Sequence, residues 1–577
     1  MQRAFVSGLV ISASVFAAHG MHEAHAEIDH ARAVCTWDQW GGGADHEGEA
    51  CIAAQPPVRE LAHIVYDPFD VQEIAEAHGV LLEHYPTPLI DGDEFYMLQK
   101  AGTYTSCNPP GTRAPGCGSD RANILNQIWT ERAYRFEPDG SLRVRWTFTS
   151  DWKPAPNGGN PMFQAALSGP FLYVPGAGGT VFQVLKQTGQ VLQRIKPFPT
   201  IDPNIFVIGG ITIDRFGVAY WNAVRTDPVT RQHTGFIIAA VPWGATKVVA
   251  YDGLIPDAPA ATDLCFSDFS SSGTALPWPP PGQVPDQVVC GPQRPGLQVT
   301  PAIGADGTVF TATRADGQAN YSYIVALHPD LTLKWATSLR GLVNDGCFLE
   351  AGLPLVGPDV FCPPGTPVGI DPLTGMAPAQ QTEDASSGAP VVLPDGGVLF
   401  GAMRDYDDGR GILLKFDRHG RFAAHYDFGW DTTPAVYRHD GTYSVITKDN
   451  HYGDLVPLFG PFYMTQLSSE LVPEWRFENT STEMCSFDGS GTLVCTPNDP
   501  LSIGYEWCVN APVVDRDGDV IATNEDGSLY VIGQGGTLKS KVFLNQALGS
   551  VYTPAAVDSR GRIFALNNGE LSVFGGR

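Results

Sequence analysis

The run Lys448-Asp449-Asn450-His451-Tyr452-Gly453-Asp454 is the densest polar cluster in the chain. Histidine changes charge near neutral pH, and an adjacent carboxylate orients the ring for proton transfer. His451 is therefore the candidate general base, with Asp449 or Asp454 orienting it. The competing reading is a solvated histidine in a polar loop. A second chemistry comes from cations in phase. Lys100, Arg225, Arg314, Arg404 and Lys448 each end an apolar run, seven or eight residues after a turn glycine. Corresponding positions elsewhere hold Asn524, Asn567 and Gly176. The whole chain has only 36 Lys and Arg residues, so five at one phase is a concentration. If they converge, they form an anion site for a carboxylate, phosphate or sulfate. The alternative is a set of structural ion pairs with Asp227, Asp316, Asp405 or Asp407, and Asp449.

Other chemistries have less to rest on. Six histidines follow residue 84 and are scattered, which argues against a copper or iron centre. Asp515-x-Asp517-Gly518-Asp519 looks like part of a calcium loop, but its closing glutamate is missing, so a hairpin turn is the better reading. No zinc spacing, haem-attachment motif, Gly-x-Ser-x-Gly or phosphate-binding glycine loop occurs. No metal site is assigned.

The elements that must position these residues repeat. A Gly-containing turn separates two short apolar runs in TPLIDGDEFYMLQK (87–100), TPAIGADGTVFTATR (300–314), APVVLPDGGVLFGAMR (389–404), TPAVYRHDGTYSVITK (433–448), APVVDRDGDVIATN (511–524) and TPAAVDSRGRIFALN (553–567). Weaker copies lie at 165–176 and 209–225. The anchors are Gly92, Gly169, Gly217, Gly307, Gly397, Gly441, Gly518 and Gly561. Three intervals of 48, 44 and 43 residues match one four-stranded propeller blade. Longer intervals are a blade plus an insertion. A fourth strand often carries an aromatic, as in SLRVRWTF and LTLKWATSL. The pattern predicts an all-β, eight-bladed propeller over 87–577, with two β-sandwich domains as the competing fold. The last copy stops after three strands, so a segment before the first copy, such as 79–85, should close the ring.

The P-A-V-x-x-x-D-G turn followed by a Trp-bearing fourth strand resembles the quinoprotein-type β-propeller repeat. The family includes dehydrogenases that hold pyrroloquinoline quinone with calcium, and non-enzymatic propellers of the bacterial envelope. The resemblance implies the architecture, and pyrroloquinoline quinone with calcium as a possible cofactor pair. The adjacent cysteine pair of the dehydrogenases has no counterpart here.

Residues 1–26 read as a secretory signal: Arg3, an apolar stretch, then Ala24-His25-Ala26 as a cleavage pattern. The apolar stretch is shorter than the ~20 residues of a spanning helix. Residues 27–86 form an N-terminal extension, with helical character over 71–77. Eleven cysteines suit export, and their spacing suggests Cys35–Cys51, Cys107–Cys117, Cys265–Cys290, Cys347–Cys362 and Cys485–Cys495, with Cys508 able to replace either of the last two. Insertions at 253–297, 341–387, 449–461 and 479–509 should rise from one face as long, mostly disulfide-stapled loops. A net charge of −26 argues against nucleic acid or an anionic membrane as partner. The expected function is an exported propeller binding a small, anionic ligand in an axial pocket under those loops. The alternatives are a quinone-dependent alcohol or aldehyde oxidoreductase and an envelope scaffold that binds another protein.

Overall fold

The computed structural model describes residues 35–76, 83–106, 126–155, 162–267, 284–343, 371, 373–375, 380–403, 410–451, 460–487, 492–498, 500–545 and 551–576. Among them, eight sheets of four or more strands, antiparallel apart from short parallel pairings onto Val551–Val557, follow one another along the chain, and they are the eight blades of a β-propeller. In blade 6, for example, the strands run Ala435–His439, Thr442–Asn450, Phe462–Ser468 and Pro473–Glu478, hydrogen-bonded in that order. Both faces of each sheet meet a neighbouring blade, so second and third strands are mostly buried. Val398–Ala402 and Ile412–Phe416 are buried at every position, whereas the outer strand Phe422–Tyr426 alternates with solvent.

The anchor turns behave as their glycines require. Gly92, Gly169, Gly217, Gly307, Gly441, Gly518 and Gly561 all have φ between 55° and 84°, where a side chain is strained. In blade 5 the left-handed residue is Gly396, and Gly397 follows it. The fourth-strand tryptophan joins consecutive blades. Trp146 of blade 1 donates to the carbonyl of Lys186 at 2.8 Å, and its ring covers Gly189, where a Cβ would lie 2.7 Å away. Trp335 of blade 4 covers Gly420 in the same way. Only glycine lets the indole seat on the next blade's outer turn.

The ring closes on its N-terminal extension. Arg59–Val65 pairs antiparallel with Glu570–Gly575 and becomes the outer strand of blade 8. This replaces the expected clasp at 79–85. From that stretch, Glu83–His84 is described, and it pairs in parallel with the inner strand Val551–Val557 instead. The outermost place needs a run long enough to pair along a whole strand, and the seven residues Arg59–Val65 provide it. The helix Asp70–Glu76 forms as expected from the Asp70 start.

Residues 36–55 form a strap that meets the inner strands of blades 1 to 7 and the first turn of blade 8 in chain order. Thr36–Trp37 pairs with Ile90 and Asp91 of blade 1. The Asp38 carbonyl accepts from Leu167 of blade 2 at 2.8 Å, and the Gln39 amide both donates to and accepts from Ile213 of blade 3. Ala44, Asp45, Glu47 and Gly48 accept from Ile303, Val392, Val436 and Val514 of blades 4 to 7 at 2.6–3.0 Å. Gln55 donates to Gly561 of blade 8 at 2.7 Å. Trp40 is fully buried with Met162, Ala389 and Ala511.

Disulfides join Cys35–Cys51, Cys265–Cys290 and Cys485–Cys495, while Cys508 is free and buried. Cys107, Cys117, Cys347 and Cys362 lie outside the described residues. The hairpins Leu264–Phe266/Gln287–Val289 and Glu483–Phe487/Leu493–Pro497 follow the fourth strands of blades 3 and 6, so their roots share one face. No helix among the described residues is long and apolar enough to cross a membrane.

Candidate functional site

The second strand of blade 6, TYSVITKDN, is rich in β-branched residues and carries the dense polar cluster at its end. Strand alternation sends neighbouring side chains to opposite faces. Asn450 turns to blade 7, where its amide receives from the Trp507 N–H at 3.0 Å and donates to the Trp507 carbonyl at 3.2 Å. Lys448 shares that side.

Asp449 turns to blade 5 and is fully buried. It accepts from Tyr426 Oη at 2.6 Å and lies 3.0 Å from His451 Nε2, 3.4 Å from Arg476 Nε and 3.7 Å from Arg410. Burial alone would raise its pKa, but His451 and the two arginines hold it well below the usual carboxylate range. The structure thus pairs His451 with Asp449. Asp454 lies outside the described residues. Arg476 also donates to Tyr426 Oη at 2.7 Å, so the aspartate is fixed from several sides.

Lys448 is fully buried. Burial lowers its pKa, opposed by the charges of Asp431, Glu506 and Glu525 and by Cys508. The Cys508 thiol donates to Glu525 at 3.1 Å, and burial, with Glu525 and Glu506 next, pushes it well above the ordinary thiol range. Glu506, Cys508 and Glu525 bring one ligand atom each within 4.8 Å of one another, with Glu506 the half-buried member.

At the hub, His84 Nε2 lies 3.0 Å from Asp431 Oδ2, and both side chains are buried. The other oxygen of Asp431 accepts from the Ser387 N–H at 2.6 Å and hydroxyl at 3.0 Å. Asn510 donates to the Ser387 hydroxyl at 3.0 Å. Blades 5, 6 and 7 and the stretch beside blade 8 meet in this network. Burial works against the Asp431 charge, but His84, Lys448 and the Ser387 N–H keep its pKa below the ordinary value.

The other expected ligand-binding residues are placed separately. Lys100 is buried in a 2.6 Å ion pair with Asp67. Arg225 is exposed, 3.7 Å from Asp202 and beside the Phe198 and Phe236 rings. Arg314 lies 3.6 Å from Asp384 and 3.9 Å from Glu383. Arg404 lies outside the described residues. Asn524 caps its own turn through Asp526 N–H at 2.9 Å and donates to Tyr505 O. Asn567 donates to the Asn545 carbonyl. Lys100, Arg225 and Arg314 face Asp67, Asp202 and Asp384, and the Asp431 charge acts on Lys448, rather than the acids adjacent in sequence. Asp515 caps a hairpin, accepting from Asp517, Asp519 and Ala54 N–H groups at 2.7–2.9 Å.

Sequence reasoning missed Asp431, Glu506, Cys508 and Glu525 around Lys448, and His84 as the partner of Asp431. A signal existed: Ser387, Asp431 and Asn510 each stand one or two positions ahead of the Thr-Pro or Ala-Pro that opens an inner strand.

No protein-family model and no curated protein matches the chain. Among solved structures it is similar to BamB from Moraxella catarrhalis, at 11% identity and TM-score 0.40 over 90% of this chain and 99% of that one. It is also similar to a quinohemoprotein alcohol dehydrogenase from Pseudomonas putida, at 10% identity and TM-score 0.47 over 94% and 76% of the two chains. A quinohemoprotein alcohol dehydrogenase from Comamonas testosteroni aligns at 12% identity and TM-score 0.47 over 95% and 82%. The eight-bladed fold is read from the chain's own sheets, and its structural similarity to these quinoprotein propellers is distant.

Proposed function

We propose that the chain is an exported, ligand-binding β-propeller whose site lies at the end of the second strand of blade 6. The ligand sits against Lys448, Glu506, Cys508 and Glu525. The secretory pattern of residues 1–26 and the disulfides support export. The carrying observation is the convergence of Glu506, Cys508 and Glu525 beside a fully buried lysine. An anion there would meet three carboxylates, counting Asp431, around one ammonium group. The ligand head group is therefore a hydrogen-bond donor or a cation, such as a primary amine or a metal ion. Pyrroloquinoline quinone does not fit these residues, because its three carboxylates would face the same acids. His451 and Asp449 serve as the wall between blades 5 and 6, with the Asp449 charge already committed to Arg410, Arg476 and His451.

The test is a thermal-shift and calorimetric titration of the full mature chain with calcium, zinc and methylammonium. A saturable shift with one of these, lost in Glu525→Gln and Glu506→Gln but kept in Arg225→Gln, is the expected result. Retention of the shift in the double glutamine variant, or no shift with any of the three, overturns the reading.

A further inference from the structure

A cavity of about 710 Å³ opens where the ring is closed, between the first and last turns of blade 1, the first turn of blade 8 and the closing strand. Its lining holds four arginines, Arg59, Arg135, Arg560 and Arg562, and three acids, Asp93, Glu137 and Asp139. The acids are committed. Asp93 holds Arg560 at 2.6 Å and Arg562 at 3.4 Å. Glu137 accepts from Arg143 at 2.8 Å, and Asp139 caps its own turn through Ser141. Two arginines keep their donors. The nearest carboxylate to Arg135 is Glu94 at 3.9 Å, which already serves Arg145 and Tyr96 at 2.8 Å each. Arg59 makes no ion pair or side-chain hydrogen bond among the described residues, and it is exposed. Arg562 is fixed, lying over the Phe136 ring at 4.1 Å and paired with Asp558.

We propose that this seam cavity binds a small polyanion carrying two or more phosphate or carboxylate groups. Guanidinium forks bind such groups bidentately, and a rigid, aromatic-floored cleft places them without ordering cost. The cavity lies within the roughly 300–1,000 Å³ range of small-molecule sites and exceeds what a single phosphate fills. Its positive lining is opposite in sign to a chain of net charge −26, so an anion is drawn to this place over the rest of the surface. The ligand would touch the N-terminal closing strand, blade 1 and the last blade together, so its binding also stabilises ring closure. This site is independent of the one in blade 6.

The experiment titrates the full mature chain with pyrophosphate and, separately, with citrate at low salt, by calorimetry and thermal shift. Saturable binding of at least one is expected, with a rise in unfolding temperature. Pyrophosphate alone binding marks a phosphate ligand, and citrate alone a carboxylate. Neither Arg59→Gln nor Arg135→Gln breaks a close ion pair, so both variants should fold with unchanged melting when unliganded. Each should weaken binding by about tenfold or more. Binding of neither anion, or equal binding by the double variant, overturns the proposal. Glu506→Gln should leave this titration unchanged.

Discussion

The indole N–H of Trp40 donates to the hydroxyl of Thr433 at 3.2 Å, across 393 positions of sequence. Trp40 belongs to the strap, and Thr433 stands just ahead of the inner strand of blade 6. Met162, Ala389 and Ala511 complete the packing around the indole, so blades 2, 5 and 7 meet on one side chain.

Replacing that side chain should therefore be felt by the whole ring. Trp40→Ala removes a buried indole and leaves a cavity, a loss of about 3–5 kcal/mol. Trp40→Phe keeps most of the apolar contact and loses the hydrogen bond, about 1 kcal/mol. Urea unfolding should rank wild type, Phe and Ala in that order. Equal midpoints for wild type and Trp40→Ala would show that the hub does not depend on it.

Acid should loosen the strap through one histidine. His46 is fully buried, its Nδ1 lies 2.9 Å from the Pro390 carbonyl, and burial lowers its pKa to about 4. The unfolded chain takes up that proton near pH ~6.5. The contribution of neutral His46 is thus complete above about pH 6.5 and lost as pH falls towards 4. Asparagine tolerates the φ of 63° at this position. His46→Asn should flatten the fall in melting temperature between those pH values, and an unchanged slope would assign the acid sensitivity to other groups.

Glu131 should act in the opposite direction. Burial alone raises its carboxyl to about 8. The unfolded chain ionises at about 4.3. Its contribution is full below that pH and is lost as pH rises to about 8. Glu131→Gln should leave stability at pH 4 nearly unchanged and raise it at pH 8. Calorimetric melting at the two pH values is the check, and a loss of stability at pH 8 would mean that the carboxylate is needed in the folded chain.

Asp449 joins its neighbours by charge rather than by packing. Asp449→Asn leaves Arg410, Arg476 and His451 without their shared anion, and removing one partner from a buried pair costs about 3–5 kcal/mol. His451→Gln removes only one of its partners and should cost less. Equal losses for the two variants would mean that the histidine, not the arginines, fixes the aspartate.

The ring was legible because its punctuation is local. A turn that demands positive φ selects glycine at the same phase in each blade, and the tryptophan–glycine seats select an aromatic at another. Blade 5 blurs only because Gly396 and Gly397 are adjacent and sequence cannot rank them. The closing strand RELAHIV was not legible. An outer strand meets a partner on one side only, so its residues carry little pattern. The strap was hidden for a different reason. It docks mostly through main-chain carbonyls, which any side chain can supply. The adjacency of Lys448, Asp449 and His451 could be read from the chain. Their separation onto two faces follows from strand alternation, but His84, Asp431 and Cys508 arrive from distant segments that no local spacing announces.

Stacked repeats ordinarily couple each unit only to its neighbours, so they can fray from an end. The strap changes that arithmetic here, because residues 36–55 touch every blade in turn. The first stretch of the ring to leave the ribosome has seats that exist only after residue 561 has been made. Losing the last blade would unseat both ends of the chain together, and the propeller should melt as one unit rather than blade by blade.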